Sequence, residues 1–293
     1  MTSTKKTLPS FKITAEHLDM LNKSGERHKY DYGHAVVVSG PPSQGGAARL
    51  AARCALRIGA GLVSVLASHT AQAEHAAQLN AIMLKSYVDK RDFAERLTAL
   101  DSTAICIGPN LGICDESRAK LADALSLQIP LCIDADAITL IAQDRDQMKP
   151  ASNSQVIMTP HEGELRRLIP DAFATTSCRV TLAQIAAKSM NCIILFKGSD
   201  TVIARPDGAY TVVSSKPFRS AAWLATAGTG DALSGIITGL LARGFSVFDA
   251  AAVGANVHLH CADIIGPGLI ADDIPEAIPD VLKRCLSVQT AST

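Results

Sequence analysis

Short runs of hydrophobic residues alternate along the chain with longer segments in which small and apolar residues recur at helical spacing. Most of these runs are apolar at consecutive positions, which is typical of strands that are covered on both faces. The order strand, helix, strand predicts right-handed crossovers and a parallel sheet between two helical layers. The predicted parallel strands are residues 35–38, 62–66, 104–107, 131–133, 155–158 and 193–196.

One pair of runs predicts a different pairing. Residues 201–205 and 210–213 flank Pro206-Asp207-Gly208, a typical turn sequence, so we expect an antiparallel hairpin near one edge of the sheet. We therefore predict a three-layer α/β/α sandwich in a single domain over residues 1–293. Residues 1–27 would form an N-terminal extension and residues 287–293 a frayed tail. The clearest predicted helices are residues 45–57, 116–127, 230–242 and 247–265.

The composition excludes several classes of protein. The 293 residues include 28 Lys and Arg against 28 Asp and Glu, so no net positive field favours nucleic acid. Hydrophobic residues make up 47% of the chain, too many for a disordered protein. The most apolar stretch, residues 232–242, is far shorter than the roughly 20 residues that cross a membrane, so no membrane partner is expected. The eight cysteines form no C-x-x-C pair and no signal sequence is visible, so we expect free thiols and a cytoplasmic protein.

A glycine-rich segment, Gly228-Thr229-Gly230-Asp231, opens one of the predicted helices. The free N–H groups and the positive dipole end of a helix start favour an anion. Asp231 could then accept a proton from a substrate hydroxyl held beside a phosphate. Leu233 stands where a dinucleotide fingerprint needs its third glycine. The alternative is an ordinary loop followed by an acidic first helical turn.

Four more segments follow predicted strands, where open α/β sheets bind ligands. Residues 197–201 could cradle a phosphate or a ribose, and residues 39–47 and 108–112 could wrap a ligand. Residues 159–164 resemble half of a zinc-protease motif, but Leu165 replaces the second histidine, so zinc is not expected. Glu164 could instead hold Mg²⁺ through water near phosphates. The alternative for residues 39–47, 108–112 and 197–201 is a structural turn, and for residues 159–164 it is a helix N-terminus with acidic residues near the dipole.

Two further features are interpreted as structural. His258 and His260 are two positions apart on a predicted helix, so they point to different faces and do not predict a metal site with Cys261. Trp223 is the single tryptophan of the chain, and we interpret it as a packing residue.

Taken in order, these segments resemble the ADP/ATP-dependent NAD(P)H-hydrate dehydratases of the ribokinase-like superfamily. The resemblance extends from about His28 to Leu282. The sequence departs from the family at Asn110, where glycine is frequent, and in residues 218–223. The segments that carry the resemblance are residues 45–48, 108–112, 134–137 (Asp-Ala-Asp-Ala), 159–164, 197–201 and 228–231.

The resemblance implies a ribokinase-like fold and a repair reaction. Hydrated NADH or NADPH would be phosphorylated on its ring hydroxyl, and phosphate would then leave to restore the double bond. Asp231 would be the base, and Mg²⁺ would be held by Glu164 through water. The other implied sites are an anion hole of Gly228, Thr229 and Gly230; an ADP or AMP site of Lys197, Gly198, Ser199, Asp200, Thr201 and Gly230; and contacts of the hydrated dinucleotide with Ala47, Gly112, His161 and Asp231.

The resemblance also implies ADP as the phosphoryl donor, converted to AMP, although ATP stays open. It implies a homo-oligomer that works with a separate NAD(P)H-hydrate epimerase. One alternative is a small-molecule kinase of the same superfamily, acting on a vitamin or heterocyclic alcohol and leaving the phosphate on its product. A non-catalytic nucleotide-binding sensor is the other alternative.

Overall fold

The computed structural model describes residues 10–151 and 155–290, and its centre is one nine-stranded sheet. The strands are β1 His34–Val38, β2 Leu62–Ser68, β3 Met83–Tyr87, β4 Ala104–Ile107, β5 Leu131–Ile133, β6 Val156–Met158, β7 Ile193–Phe196, β8 Asp200–Ala204 and β9 Tyr210–Ser214. Their order across the sheet is β3-β2-β1-β4-β5-β6-β7-β8-β9.

The strand pairing confirms the predicted fold class. All pairings among strands β1 to β7 are parallel, whereas β8 pairs antiparallel with both β7 and β9. The predicted hairpin is therefore present at one edge of the sheet. Strand β3, at the other edge, was not predicted: of its five residues only Tyr87 is buried, so the strand lacks a continuous apolar run.

Thirteen α-helices are found in the described residues. The last of them ends at Thr290 and so includes the first four residues of the predicted frayed tail, and residues 291–293 lie outside the described part. In the predicted N-terminal extension, helix α1 buries Leu21 in the core. The helices are α1 Ala15–Leu21, α2 Gly46–Arg57, α3 Gln72–Ala76, α4 Lys90–Ala99, α5 Asp115–Ser126, α6 Ala135–Gln143, α7 Arg145–Met148, α8 Glu162–Leu168, α9 Pro170–Thr175, α10 Arg179–Met190, α11 Thr229–Ala242, α12 Val247–Ile265 and α13 Asp273–Thr290.

Alternate side chains of each strand enter two different cores. In β1, Ala35 and Val37 join the core beneath α2, α11, α12 and α13, whereas Val36 and Val38 join the core beneath α4, α5, α6, α8 and α10. Both faces of the strand are therefore apolar, which explains the consecutive hydrophobic residues in the sequence. None of the helices in residues 10–151 and 155–290 is long and apolar enough to span a bilayer.

Helix α11 packs against α2 and against strands β1, β4 and β5, and twelve of its fourteen residues are buried. A β-carbon at Gly235 would lie 2.1 Å from the backbone oxygen of Ala51, and one at Gly239 would lie 2.6 Å from that of Ala55. These two glycines therefore let α11 and α2 approach closely. This close packing fixes where α11 begins, near the carboxyl ends of the strands.

The sheet has a topological switch point between β1 and β4. From β1 the chain runs through β2 to β3 on one side, and from β4 it runs outwards on the other. Ligands of open α/β sheets bind at such a point, beyond the carboxyl ends of the strands. The loops after β1 and β4 meet there, because a β-carbon at Gly40 would lie 1.8 Å from the carbonyl oxygen of Asn110.

Candidate active site

The glycine-rich segment forms the start of α11, as predicted. Gly228 has a φ of +89°, a conformation that favours glycine, and Thr229 is the first residue of the helix. The Thr229 hydroxyl contacts the carbonyl oxygens of Leu224 at 2.6 Å and Thr226 at 2.9 Å, which holds the preceding loop against the helix. The N–H groups of the first helical turn have no acceptor within the helix. The N–H of Thr229 donates to the carbonyl oxygen of Thr226 at 3.4 Å, so the N–H groups of Gly230 and Asp231 are the ones available to an anion at this end of the sheet.

Asp231 lies in that first turn and is partly buried. Burial, followed by the negative charge of Asp134, raises the pKa of Asp231 to about 6 against the opposing charge of Lys197. Glu164 and Asp136 raise the pKa further. The site thus holds a carboxylate that exchanges a proton near neutral pH, as a general base must.

Lys197, at the end of β7, places its ammonium among these carboxylates. Its Nζ is 2.8 Å from Oδ1 of Asp134, and it is 3.4 Å from the position of a β-carbon on Gly230. Burial opposes the charge of Lys197, but Asp134 and Glu164 outweigh it and raise the pKa of the lysine. Lys197 is therefore a permanent cation beside the anion-binding helix start.

Asp134, which has no role in the predicted site, holds this lysine in place. It follows β5, is 1% exposed, and its Oδ2 accepts a hydrogen bond of 2.7 Å from the Ser234 hydroxyl. Its Oδ1 also accepts the N–H of Ala135 at 2.9 Å, which caps α6. An acidic residue directly after an apolar strand was the sequence signal that could have identified it.

Asp136 binds the neighbouring loop. Its Oδ2 accepts the N–H of Gly112 at 2.8 Å, and Gly112 has a φ of +86°. Between the two acids, Ala135 has a φ of +48°, which is rare for a residue with a side chain. The Asp-Ala-Asp segment thus contacts both the Lys197 side of the site and the loop predicted to bind the dinucleotide.

His161 and Glu164 form a capping box at the start of α8. The N–H of His161 donates to Oε2 of Glu164 at 2.8 Å, and the His161 Nδ1 accepts the N–H of Gly163 at 2.9 Å. With Nδ1 an acceptor, the ring proton is on Nε2, which lies 3.4 Å from Oε1 of Glu164. Glu164 is thus held rigidly, 5% exposed, while the His161 side chain is 57% exposed.

A resident metal cage is absent from the part of the chain that the structure describes, since no three His, Cys, Asp or Glu side chains converge there on a common point. Mg²⁺ in nucleotide sites is held mostly by water and phosphate oxygens with one or two carboxylates. Three carboxylates (Asp134, Glu164 and Asp231) raise the pKa of Lys197, and a fourth, Asp136, raises the pKa of Asp231. This excess of negative charge fits a divalent cation bound together with phosphates.

Arg179 contacts the start of the predicted nucleotide segment after β7 and the strand residue before it. The guanidinium of Arg179 lies 3.6 Å above the ring of Phe196 and contacts the carbonyl oxygens of Phe196 at 3.2 Å and Lys197 at 2.8 Å. A β-carbon at Gly198 would lie 2.4 Å from an Arg179 nitrogen.

The rest of this segment turns into β8. The Thr201 hydroxyl contacts the carbonyl oxygen of Gly198 at 3.3 Å, and Oδ1 of Asp200 accepts a hydrogen bond from Ser214 at 2.6 Å. The carbonyl oxygen of Ser199 accepts the N–H of Ser215 at 3.0 Å. Of these residues, only Lys197 is brought beside Gly230 and Asp231 by the contacts described above.

Ala47, predicted to contact the dinucleotide, lies in the first turn of α2 and is 4% exposed. A buried polar cluster supports this turn. The Ser39 hydroxyl lies 3.0 Å from Nε2 of His75, and a β-carbon at Gly45 would lie 2.5 Å from Oε1 of Glu74. Gly45 therefore leaves room for the polar groups beneath the loop after β1.

The two features interpreted as structural differ in outcome. His258 is 8% exposed and shares a backbone hydrogen bond with Thr229, and burial lowers the pKa of this histidine to about 4. It is therefore a neutral packing residue behind the anion-binding loop. Trp223 is 45% exposed in a short 3₁₀ helix, so the interpretation of Trp223 as a packing residue was wrong. All eight cysteines lie among the described residues and are free thiols, as predicted.

Comparisons with known proteins agree with this architecture. A family model described as NAD(P)H-hydrate dehydratase matches residues 35–279. A bifunctional NAD(P)H-hydrate repair enzyme of Moorella thermoacetica is 34% identical over 276 residues, covering 88% of this chain and 50% of the relative. An ADP-dependent (S)-NAD(P)H-hydrate dehydratase of Neisseria meningitidis is 32% identical over 267 residues, covering 87% of this chain and 86% of the relative. This chain spans about half the length of the bifunctional relatives it matches.

Solved structures show the same fold. An ADP/ATP-dependent NAD(P)H-hydrate dehydratase from Bacillus subtilis, co-crystallised with ATP and Mg²⁺, has a TM-score of 0.76 and 27% identity, covering 96% of this chain and 99% of that one. Arabidopsis thaliana ribokinase, complexed with ribose and ATP, has a TM-score of 0.57 and 12% identity, covering 86% and 99%. The predicted ribokinase-like fold is thereby confirmed.

Proposed function

The chain belongs to the NAD(P)H-hydrate dehydratase family, and from this premise we propose that it repairs hydrated NADH and NADPH at the expense of ADP. The observation that carries the proposal is the Asp231 carboxylate, with its pKa raised to about 6, at the glycine-rich start of α11 and in the field of the Lys197 ammonium. A base, an anion-binding helix end and a cation together suit transfer of a phosphoryl group to a hydroxyl.

The reaction would proceed in two steps. Asp231 accepts the proton of the ring hydroxyl while the hydroxyl oxygen attacks the terminal phosphorus of ADP, and AMP leaves. The carbon–oxygen bond then breaks and phosphate departs, while the neighbouring ring carbon loses a proton to form the double bond. Phosphorylation makes this elimination possible because phosphate is a far better leaving group than hydroxide.

The residues around Asp231 would bind the phosphoryl group, the metal ion and the nucleotide. The N–H groups of Gly228, Thr229 and Gly230 would bind the transferring phosphoryl group, and Lys197 would offset its charge. Glu164 would hold Mg²⁺ through water, and the ion, when bound, would neutralise phosphate charge. The nucleotide would occupy residues 197–201 and Gly230.

The hydrated dinucleotide would contact Ala47, Gly112, His161 and Asp231. This assignment is supported by the meeting of the loops after β1 and β4 at the switch point. It is also supported by the exposed ring of His161 next to the buried Glu164. A homo-oligomeric state and a separate NAD(P)H-hydrate epimerase as functional partner complete the proposal.

The test is a direct assay of the purified protein. Hydrated NADH or NADPH is mixed with Mg²⁺ and either ADP or ATP, and the return of the dihydronicotinamide absorbance is followed. Phosphorus NMR of the same mixture should show AMP and inorganic phosphate forming in equal amounts when ADP is the donor. The unhydrated cofactors provide the control, since they contain no hydroxyl at the damaged position.

Two results would contradict the proposal. A stable phosphorylated product from another alcohol, with no release of phosphate, would identify a small-molecule kinase. Nucleotide binding without turnover of any hydroxyl substrate would identify a sensor. Faster repair with ATP than with ADP would overturn the assignment of the donor and leave the reaction unchanged.

A further inference from the structure

One short segment connects the two halves of the candidate site. Asp134 and Asp136 are two residues apart at the junction of β5 and α6, yet Asp134 binds Lys197 and Asp136 binds Gly112. Because Ala135 between them is in the left-handed region, with a φ of +48°, the chain changes direction between the two acids. Such strained conformations persist at functional sites where the surroundings impose them.

We propose that this segment positions both reactants: Asp134 controls the phosphoryl-transfer step, and Asp136 controls the fit of the hydrated dinucleotide. The inference rests on the proposed function. It assigns Asp134 and Asp136 as positioning residues, which act through Lys197 and through Gly112 rather than by touching the reacting atoms.

Asp134 links the cation of the site to the helix that carries the base. One carboxylate oxygen accepts from Lys197 and the other accepts from Ser234, which lies one helical turn after Asp231. Asp134 and Ser234 are 1% and 0% exposed, so water does not replace these bonds. A lysine side chain has several rotatable bonds, and this pair of hydrogen bonds restricts its ammonium to the start of α11.

Asp136 and the backbone of Asp134 determine the position of the loop after β4. Asp136 accepts the N–H of Gly112, and a β-carbon at Gly108 would lie 1.8 Å from the carbonyl oxygen of Asp134. The first and last residues of this glycine-rich loop therefore both contact the segment. A displacement of the loop would weaken binding of the dinucleotide without moving Lys197 or Asp231.

The experiment compares the isosteric variants Asp134→Asn and Asp136→Asn, with Asp146→Asn, at an exposed position of helix α7, as the matched control. Asp134→Asn should lower kcat for repair about 100-fold, as misplacement of a catalytic group does, with KM for the hydrated dinucleotide within about threefold of wild type. Asp136→Asn should raise that KM up to about tenfold, because the acceptor of the Gly112 N–H loses its charge and the hydrogen bond weakens, with kcat within about threefold.

A second variant guards against loss of folding. Ser234→Ala keeps every charge and removes one hydrogen bond to Asp134, so it should lower kcat about tenfold without raising KM for the hydrated dinucleotide. Circular dichroism and the melting temperature are recorded for all four variants. If Asp134→Asn does not fold, Ser234→Ala decides the assignment of Asp134.

A purely structural role predicts a different pattern. The division of roles would be overturned if each of the two variants, Asp134→Asn and Asp136→Asn, changed kcat and KM by similar factors. It would also be overturned if the kcat and KM of both variants matched those of Asp146→Asn. An unchanged kcat in Ser234→Ala would remove the link through α11. Failure of the proposed function is distinguishable, because the wild-type protein itself would then restore no dihydronicotinamide absorbance.

Discussion

Asp231 is surrounded by charges that oppose its ionisation more than they favour it. Burial and the carboxylates of Asp134, Glu164 and Asp136 raise its pKa, and only the Lys197 ammonium acts in the other direction. A pKa of about 6 leaves the group mostly ionised at neutral pH while it remains basic enough to take a proton. An exposed aspartate of ordinary pKa would be a weaker base.

This environment predicts the pH dependence of repair. Because the ionised form of Asp231 is the active one, the rate should fall as the pH drops through about 6, and it should level off above that value. The measurement is kcat/KM for the hydrated dinucleotide as a function of pH, since this quantity reports the pKa of the protein before that substrate binds. An acidic limb near pH 4, where ordinary aspartates titrate, would contradict the assignment of Asp231 as the base.

Replacement of Asp231 by asparagine should remove the base and keep the shape of the side chain. We expect Asp231→Asn to lower kcat at least about 100-fold, as loss of a general base does, while affinity for ADP changes little. Steady-state kinetics gives the first quantity and isothermal titration calorimetry the second. An unchanged rate would mean that another group accepts the proton.

At the scale of elements, the start of α11 requires glycine for two reasons. Gly228 has a positive φ, and a β-carbon there would lie 2.8 Å from the β-carbon of Ala271 and 3.0 Å from a methyl group of Leu50. At the other end of α11, Gly244 has nearly the same φ, +88°, but a β-carbon there would meet nothing within 4 Å. A substitution at Gly244 therefore tests backbone strain alone, whereas a substitution at Gly228 tests backbone strain together with packing.

Gly228→Ala and Gly244→Ala form a matched pair. Both should lose about 1 kcal/mol of stability through the positive φ. Only Gly228→Ala should also displace the anion-binding loop, so its kcat should fall at least about tenfold, while Gly244→Ala keeps wild-type kcat. Urea unfolding and repair kinetics measure the two effects. Equal kcat values for the two variants would show that the loop tolerates the displacement.

The elements themselves were largely predictable. Strands β4, β5 and β7 match their predicted bounds, because strands covered on both faces need consecutive apolar residues. Strand β3 was missed, since an edge strand with one covered face has no such run. The helix that extends to Thr290 was missed because polar residues at a chain end are compatible with either helix or coil.

At the scale of the whole molecule, residues distant in sequence stabilise one another. The Arg243 guanidinium, after α11, contacts the carbonyl oxygen of Ile58 at 2.9 Å and that of Asn22 at 3.1 Å, and it also binds that of Met20. It thereby joins the N-terminal segment to α2 and α11. These contacts lie at the far end of α11 from Asp231.

Arg243→Met should keep most of the aliphatic packing and remove the three contacts. We expect a loss of about 2 kcal/mol in the free energy of unfolding, because hydrogen bonds from charged groups are worth about that much, with kcat per folded molecule unchanged. Arg91→Met is the control, since Arg91 is 89% exposed and its helical pair with Glu95 contributes little. Equal stabilities of the two variants in urea would contradict the role of Arg243.

The sequence alone determined which segments lie at the carboxyl ends of the strands. Apolar runs specify strands wherever both faces of the sheet are covered. Four site residues were identified because each lies after such an apolar run or at the start of a helix: Asp231, Lys197, Glu164 and Gly112. Only the tertiary structure decided which groups meet: that Asp134 holds Lys197, that His161 holds Glu164, and that Trp223 is exposed. Local pattern reports the periodicity of one element, whereas hydrogen bonds and pKa shifts depend on distances between residues far apart in sequence, such as Ser234 and Asp134 at a hundred positions.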